Sequence, residues 1–212
     1  MNTEEKGNVL FIILIAIALF AALSYAVTQS SQQPGHFVED ESLSLDIAQL
    51  LTHANSIRSV VHNMIANGVD PANISTLKAG DAGFDTSPHN TKIYHPYGGG
   101  ISYTTTTGKA TGILIHDSLT IVDVGTGSAE LVFIARIPNE TYCQQINNTL
   151  NDSPVVPTVI DITATGMLAG TATALIDVGS CPANGCNAVP HQCVQNVIDP
   201  TEFIYYHTLY AR

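Results

Sequence analysis

Residues 9–27 read VLFIILIAIALFAALSYAV, nineteen residues without a charge, in which Ser24 and Tyr25 carry the only polar side-chain atoms. As a helix rising about 1.5 Å per residue, the run is roughly 28 Å long, which matches the hydrocarbon layer of a bilayer. How this run is read decides the fold. MNTEEKG stands before it and TQSSQQPG after it, and its one basic flank, Lys6, is opposed by Glu4 and Glu5, so loop charge orients it weakly. Three readings compete. A cleaved secretory signal would use Ser24-Tyr25-Ala26 as a small-x-small exit, but such signals have shorter apolar cores and basic starts. A plain signal-anchor helix is the second. The third is a short polar leader cut away ahead of the run, leaving the apolar helix on the mature chain.

Beyond Pro34-Gly35 a different periodicity begins. Leu43, Ile47, Leu50, Ala54, Ile57, Val61, Met64 and Ile65 recur at intervals of three or four, the stripe of an amphipathic helix. Asp46, Gln49, Thr52, Asn55, Arg58, Ser59 and Asn63 form its polar side. Glu39, Asp40 and Glu41 would complement an N-terminal dipole there, and Asn67-Gly68 supplies a stop. His53 and His62 are nine positions apart on this helix, too distant to share a metal ion, and read as ordinary polar positions.

After Gly68 the chain breaks into short runs divided by Gly, Pro, Asn and Asp. The runs 113–124 and 129–137 flank Gly125-Thr-Gly127 and predict a β-hairpin. Further strands are expected over 101–107, 159–165, 171–178 and 202–211, and a short helix over 140–150 with Cys143, Ile146 and Leu150 on one side. Helices followed by antiparallel strands make an α+β architecture.

Composition narrows the function classes. The formal net charge of -11 and seven scattered Lys and Arg residues argue against nucleic acid and against an anionic lipid surface. No Rossmann or Walker glycine pattern and no G-x-S-x-G elbow is present. His116 and Asp117 are adjacent, so on a strand they face opposite sides. His95-Pro-Tyr-Gly-Gly-Gly100 reads as a turn that needs a permissive backbone. Neither 81–85 nor 147–152 has the ligand spacing of a known calcium loop. No catalytic residue, metal ligand or cofactor is assigned.

Four cysteines, Cys143, Cys181, Cys186 and Cys193, all follow the apolar run. In an oxidising compartment they predict two disulfides with three possible connectivities. A zinc site from Cys181, Cys186, His191 and Cys193 is the sharper alternative, but its spacing is looser than the paired C-x2-C of structural sites.

The N-terminal layout, Lys6-Gly7 followed by Asn8-Val9-Leu10-Phe11-Ile12 and an unbroken apolar run, resembles type IV pilins and pseudopilins. In that family a dedicated peptidase cuts after the glycine, which here implies cleavage between Gly7 and Asn8. Two departures stand out: the mature chain would begin with Asn rather than Phe or Met, and Ile12 occupies the fifth position, where most members carry Glu. These departures imply a minor pilin, a tip-type pseudopilin or an unusual major subunit. Residues 93–100, 142–147 and 203–212 are similar to segments of pilin-like proteins of Gram-negative bacteria. The resemblance implies that a disulfide tethers the C-terminal region, as Cys143–Cys193 would, with Cys181–Cys186 closing a tight loop.

The expectations are therefore these. The fold is α+β, a long N-terminal helix with a transmembrane half and an amphipathic half packed on an antiparallel β-sheet head. Residues 1–7 are a leader, 8–27 a transmembrane or filament-core helix, 28–68 a linker and amphipathic helix, and 69–212 the head. The function implied is a structural filament subunit, with sister pilins or copies of itself as partners. Val9, Phe11, Ile12, Leu14, Ile15, Leu19 and Phe20 carry the assembly. The chain would sit in the inner membrane with an extracytoplasmic head before joining a surface filament. A membrane-anchored or secreted binding module is the alternative.

Overall fold

The computed structural model describes residues 5–31, 34–121, 124–126, 128–159, 174–176, 189–196 and 199–212. The chain divides into two compact units, Met1–Leu43 and Ser44–Arg212. The first holds helix α1 (Glu5–Ser31) and the start of helix α2 (Pro34–Ala66). Proline lacks the N–H that a helix interior needs, so Pro34 is suited to the first residue of α2, where that donor has no intrahelical partner.

Two expectations are corrected here. The expected transmembrane half of the N-terminal helix is not supported: among the described residues, no helix is long and apolar enough to cross a membrane. Anchoring in the inner membrane therefore has no support in the structure. The α+β content and the antiparallel pairing of the main strands are as expected.

In the second unit, α2 is followed by a 3-10 turn at Pro71–Asn73, strands β1 (Thr106–Thr107), β2 (Ala110–Ile121) and β3 (Glu130–Ile137), helix α3 (Glu140–Asn151), and strands β4 (Thr158–Val159), β5 (Ala174–Ile176), β6 (His191–Asn196) and β7 (Phe203–Tyr210). The sheet order is β1-β2-β3-β7-β6-β4, with β5 paired to β2. Neighbours along β1-β2-β3-β7-β6 are antiparallel, whereas β4 runs parallel to β6 and β5 parallel to β2.

The stripe predicted for α2 is the buried one. Ile47, Leu50, Ala54, Ile57, Val61 and Met64 are all buried, with spacings of three, four, three, four and three that keep them on one side of a 3.6-residue helix. His53 meets the ring of Phe133 on β3 edge-on at 5.9 Å, and His62 meets Tyr210 on β7 at 6.1 Å, so α2 crosses the central strands. Both histidines pack against aromatic rings of the sheet. The helix starts before Glu39, Asp40 and Glu41, which consequently do not form its first turn. It ends at Ala66, and Gly68 takes φ +90°, a conformation that glycine adopts without steric cost.

Residues 69–105 contain almost no regular structure, yet they are ordered around one amine. The Lys92 side chain is 4% exposed, and its Nζ donates to the carbonyls of Gly83 and Phe84, at 2.7 Å each, and of Thr86. A buried ammonium is tolerated only when its donors are used. Three carbonyls of a loop with no ladder partners supply the matching need. The predicted turn at 95–100 closes the same region, and its glycines are required for close approach. A Cβ on Gly98 would stand 2.6 Å from the His89 carbonyl oxygen, and one on Gly99 2.7 Å from Val60 Cγ1 of α2. We expect Gly99→Ala to cost about 2 kcal/mol of stability through overpacking, read by urea unfolding.

Candidate functional site

Three regions carry chemistry or exposed surface beyond ordinary packing. The first is α1. Every large apolar side chain described in it is exposed, from Ile15 at 44% to Phe20 at 73%, with Phe11, Ile12, Leu14 and Leu19 between. Apolar residues occur on all sides of this helix rather than along a stripe, because the run 9–27 contains no polar positions at helical spacing. Gly7, Asn8 and Val9 lie within the helical span of α1, but their side chains are outside the described set.

The second region is the clamp between α3 and β6. Cys143 on α3 and Cys193 on β6 form a disulfide, with Cα atoms 5.3 Å apart. Beside it, the fully buried Asn147 treats Cys193 as a strand would. Its Nδ2 donates to the Cys193 carbonyl at 2.8 Å, and its Oδ1 accepts the Cys193 N–H at 2.7 Å. Nδ2 also donates to the Val155 carbonyl at 2.8 Å. Cys181 and Cys186 lie outside the described residues, so their predicted pairing does too. The zinc alternative loses Cys193 to the disulfide, and among the described residues no group of three or more His, Cys, Asp or Glu is placed to hold a metal ion.

On the sheet face under α2, His191 and His207 stack at 5.3 Å, and the Tyr205 hydroxyl pairs with His207 Nδ1 at 2.8 Å. Burial pushes His207 down to about 4, with the neighbouring His191 and Arg58 acting in the same direction. Burial, and then Arg58, also lowers His191. The unfolded chain protonates His207 near 6.5, so its contribution to stability is complete above that pH and is lost as pH falls towards 4. That loss is about 2–3 kcal/mol. Glu130 opposes it: burial raises its carboxyl, although the Ile121 N–H donates to Oε2 at 2.9 Å, so acid relieves a buried charge there. Urea midpoints should be lower at pH 4.5 than at pH 7, and His207→Gln should shrink that difference.

The third region is a cavity of about 390 Å³ between the 74–105 segment and β2. Thr76, Lys78, Asp81, Tyr94, Tyr103 and Thr105 line it, opposite residues 112–115 of β2. Lys78 Nζ donates to the Tyr103 hydroxyl at 3.3 Å and lies 4.5 Å from the centre of that ring. Tyr94 meets Tyr103 edge-on at 5.3 Å, and burial raises the Tyr94 hydroxyl well above the ordinary tyrosine range. The Asp81 Oδ2 accepts the Lys78 backbone N–H at 2.9 Å, which fixes the turn that carries the lysine.

Sequence reading placed the Cys143–Cys193 pair but missed this cavity. Thr76, Lys78 and Asp81 are some twenty-five positions from Tyr103 and belong to a segment without periodicity, so only the fold joins them. His116 is buried and Asp117 exposed, on opposite faces of β2 as expected. No protein-family model, curated protein or solved structure matches the chain.

Proposed function

We propose that this chain is a structural subunit of a type IV pilus-like or pseudopilus-like extracellular filament, assembling through α1 against copies of itself or sister subunits. The observation that supports this reading is the exposed apolar surface of α1. A helix whose described large apolar groups are exposed on all sides gains free energy by packing against similar helices, at about 25 cal/mol per Å² removed from water. The Ser44–Arg212 unit, with its own buried core and disulfide, fits the role of a filament's outward-facing head.

Electron microscopy and sedimentation of the purified full chain test the proposal. Filaments or large assemblies are expected for the natural protein, and Leu14→Glu with Phe20→Glu should leave monomers whose β-rich circular dichroism is unchanged. A natural chain that stays monomeric after detergent removal would overturn the reading. Intact mass of assembled subunits should lack residues 1–7, and filaments that retain them would rule out processing between Gly7 and Asn8.

A second reading, a secreted binding module, draws on the cavity beside Lys78. Its volume lies within the range of small-molecule sites, and polar groups converge on it from separate segments.

A further inference from the structure

We propose that the cavity bounded by Lys78, Tyr94, Tyr103 and β2 binds a small hydroxylated monocarboxylate of the sugar-acid class. The proposal rests on the binding-module reading of the cavity and is independent of filament assembly. Lys78 carries the argument. Its ammonium has three N–H donors, and among the described residues one donates to a side chain, the Tyr103 hydroxyl. It forms no ion pair within the described residues, although Asp81 shares the cavity, because that carboxylate is turned to the Lys78 backbone N–H. A part-buried cation that lines a cavity and forms no ion pair among the described residues is an attractive local site for an anion.

The type of anion follows from the rest of the wall. One lysine offers a single positive charge, and no helix N-terminus lines the cavity, so a phosphate dianion would be poorly matched. A carboxylate monoanion pairs with the Lys78 ammonium and meets less repulsion from Asp81 than a dianion would. Thr76, Thr105, Tyr94 and Tyr103, whose hydroxyl groups can each donate and accept, also line the cavity. That inventory suits a ring bearing several hydroxyls better than an aliphatic chain. The cavity, about 390 Å³, has room for one monosaccharide unit.

The test is a titration of the full-length protein, followed by amide NMR shifts, with glucuronate, glucose and inorganic phosphate as probes. Glucuronate should give saturable shifts at Lys78, Tyr103 and 112–115. Glucose should bind at least tenfold more weakly, since a charge-assisted contact contributes about a factor of ten or more. Lys78→Met should reduce glucuronate affinity at least tenfold with an unchanged melting temperature, Lys78→Arg should retain most of it, and Tyr103→Phe should weaken it by a smaller factor. Tighter binding of phosphate, or equal binding of glucose and glucuronate, would overturn the sugar-acid assignment while leaving a binding module in place. No saturable shift at the cavity with any probe would overturn both.

Discussion

Lys92→Met will lower the unfolding free energy by about 4 kcal/mol, measured by urea denaturation at pH 7, because three loop carbonyls lose the donor around which they are arranged. The replacement is close to isosteric, so little of the loss comes from packing. What disappears is a charge-assisted hydrogen bond to each of Gly83, Phe84 and Thr86. Unsatisfied buried carbonyls cost about 1–3 kcal/mol each, offset in part because the mutant no longer desolvates an ammonium. The damage should be local in character. Limited proteolysis within 74–105 should accelerate more than cleavage in the sheet, since the loop has few ladder bonds to fall back on. A mutant within 1 kcal/mol of the natural protein would show that water replaces the amine and that Lys92 does not organise this segment.

Cys143→Ala combined with Cys193→Ala should cost a similar amount, about 4 kcal/mol, and lower the melting temperature by roughly 10 °C. The bond closes a sequence separation of 50 residues, and the unfolded chain regains the freedom of that loop when it is removed. Changing both positions avoids a lone reactive thiol. The comparison is reversible unfolding of the natural and doubly substituted chains, together with the natural chain under reducing conditions, which should resemble the double variant. If all three unfold at one midpoint, Asn147 and the β6 ladder hold the clamp without the bond.

These two predictions also mark where sequence reading succeeded and failed. The Cys143–Cys193 link was one of three connectivities open to the four cysteines and the one the family resemblance implied, and the short helix expected over 140–150 was marked by Cys143, Ile146 and Leu150. The α2 stripe and the β2–β3 hairpin were legible for the same kind of reason, a strict local period. Lys92 was not, since a lone lysine between Thr91 and Ile93 looks like any surface charge until the fold wraps carbonyls around it. Strand β6, HQCVQN, carries no alternation of apolar and polar residues. Its identity comes from pairing with β7 and from the Asn147 side chain, both remote in sequence. The apolar run 9–27 was read as a bilayer span from hydropathy alone, and the structure gives that length of helix no such support.

The position of β7 bears on how the molecule is made. It is the last strand in chain order, yet it lies between β3 and β6, with both edges occupied. A nascent chain that has already shaped the 110–137 hairpin must wait for its central plank, leaving an unsatisfied ribbon of N–H and C=O groups open to the wrong neighbour. Ribosome pausing or truncation shortly before residue 203 would therefore favour clumping over simple loss of a terminus, and a companion that shields that ribbon during folding would raise the yield of correctly closed molecules.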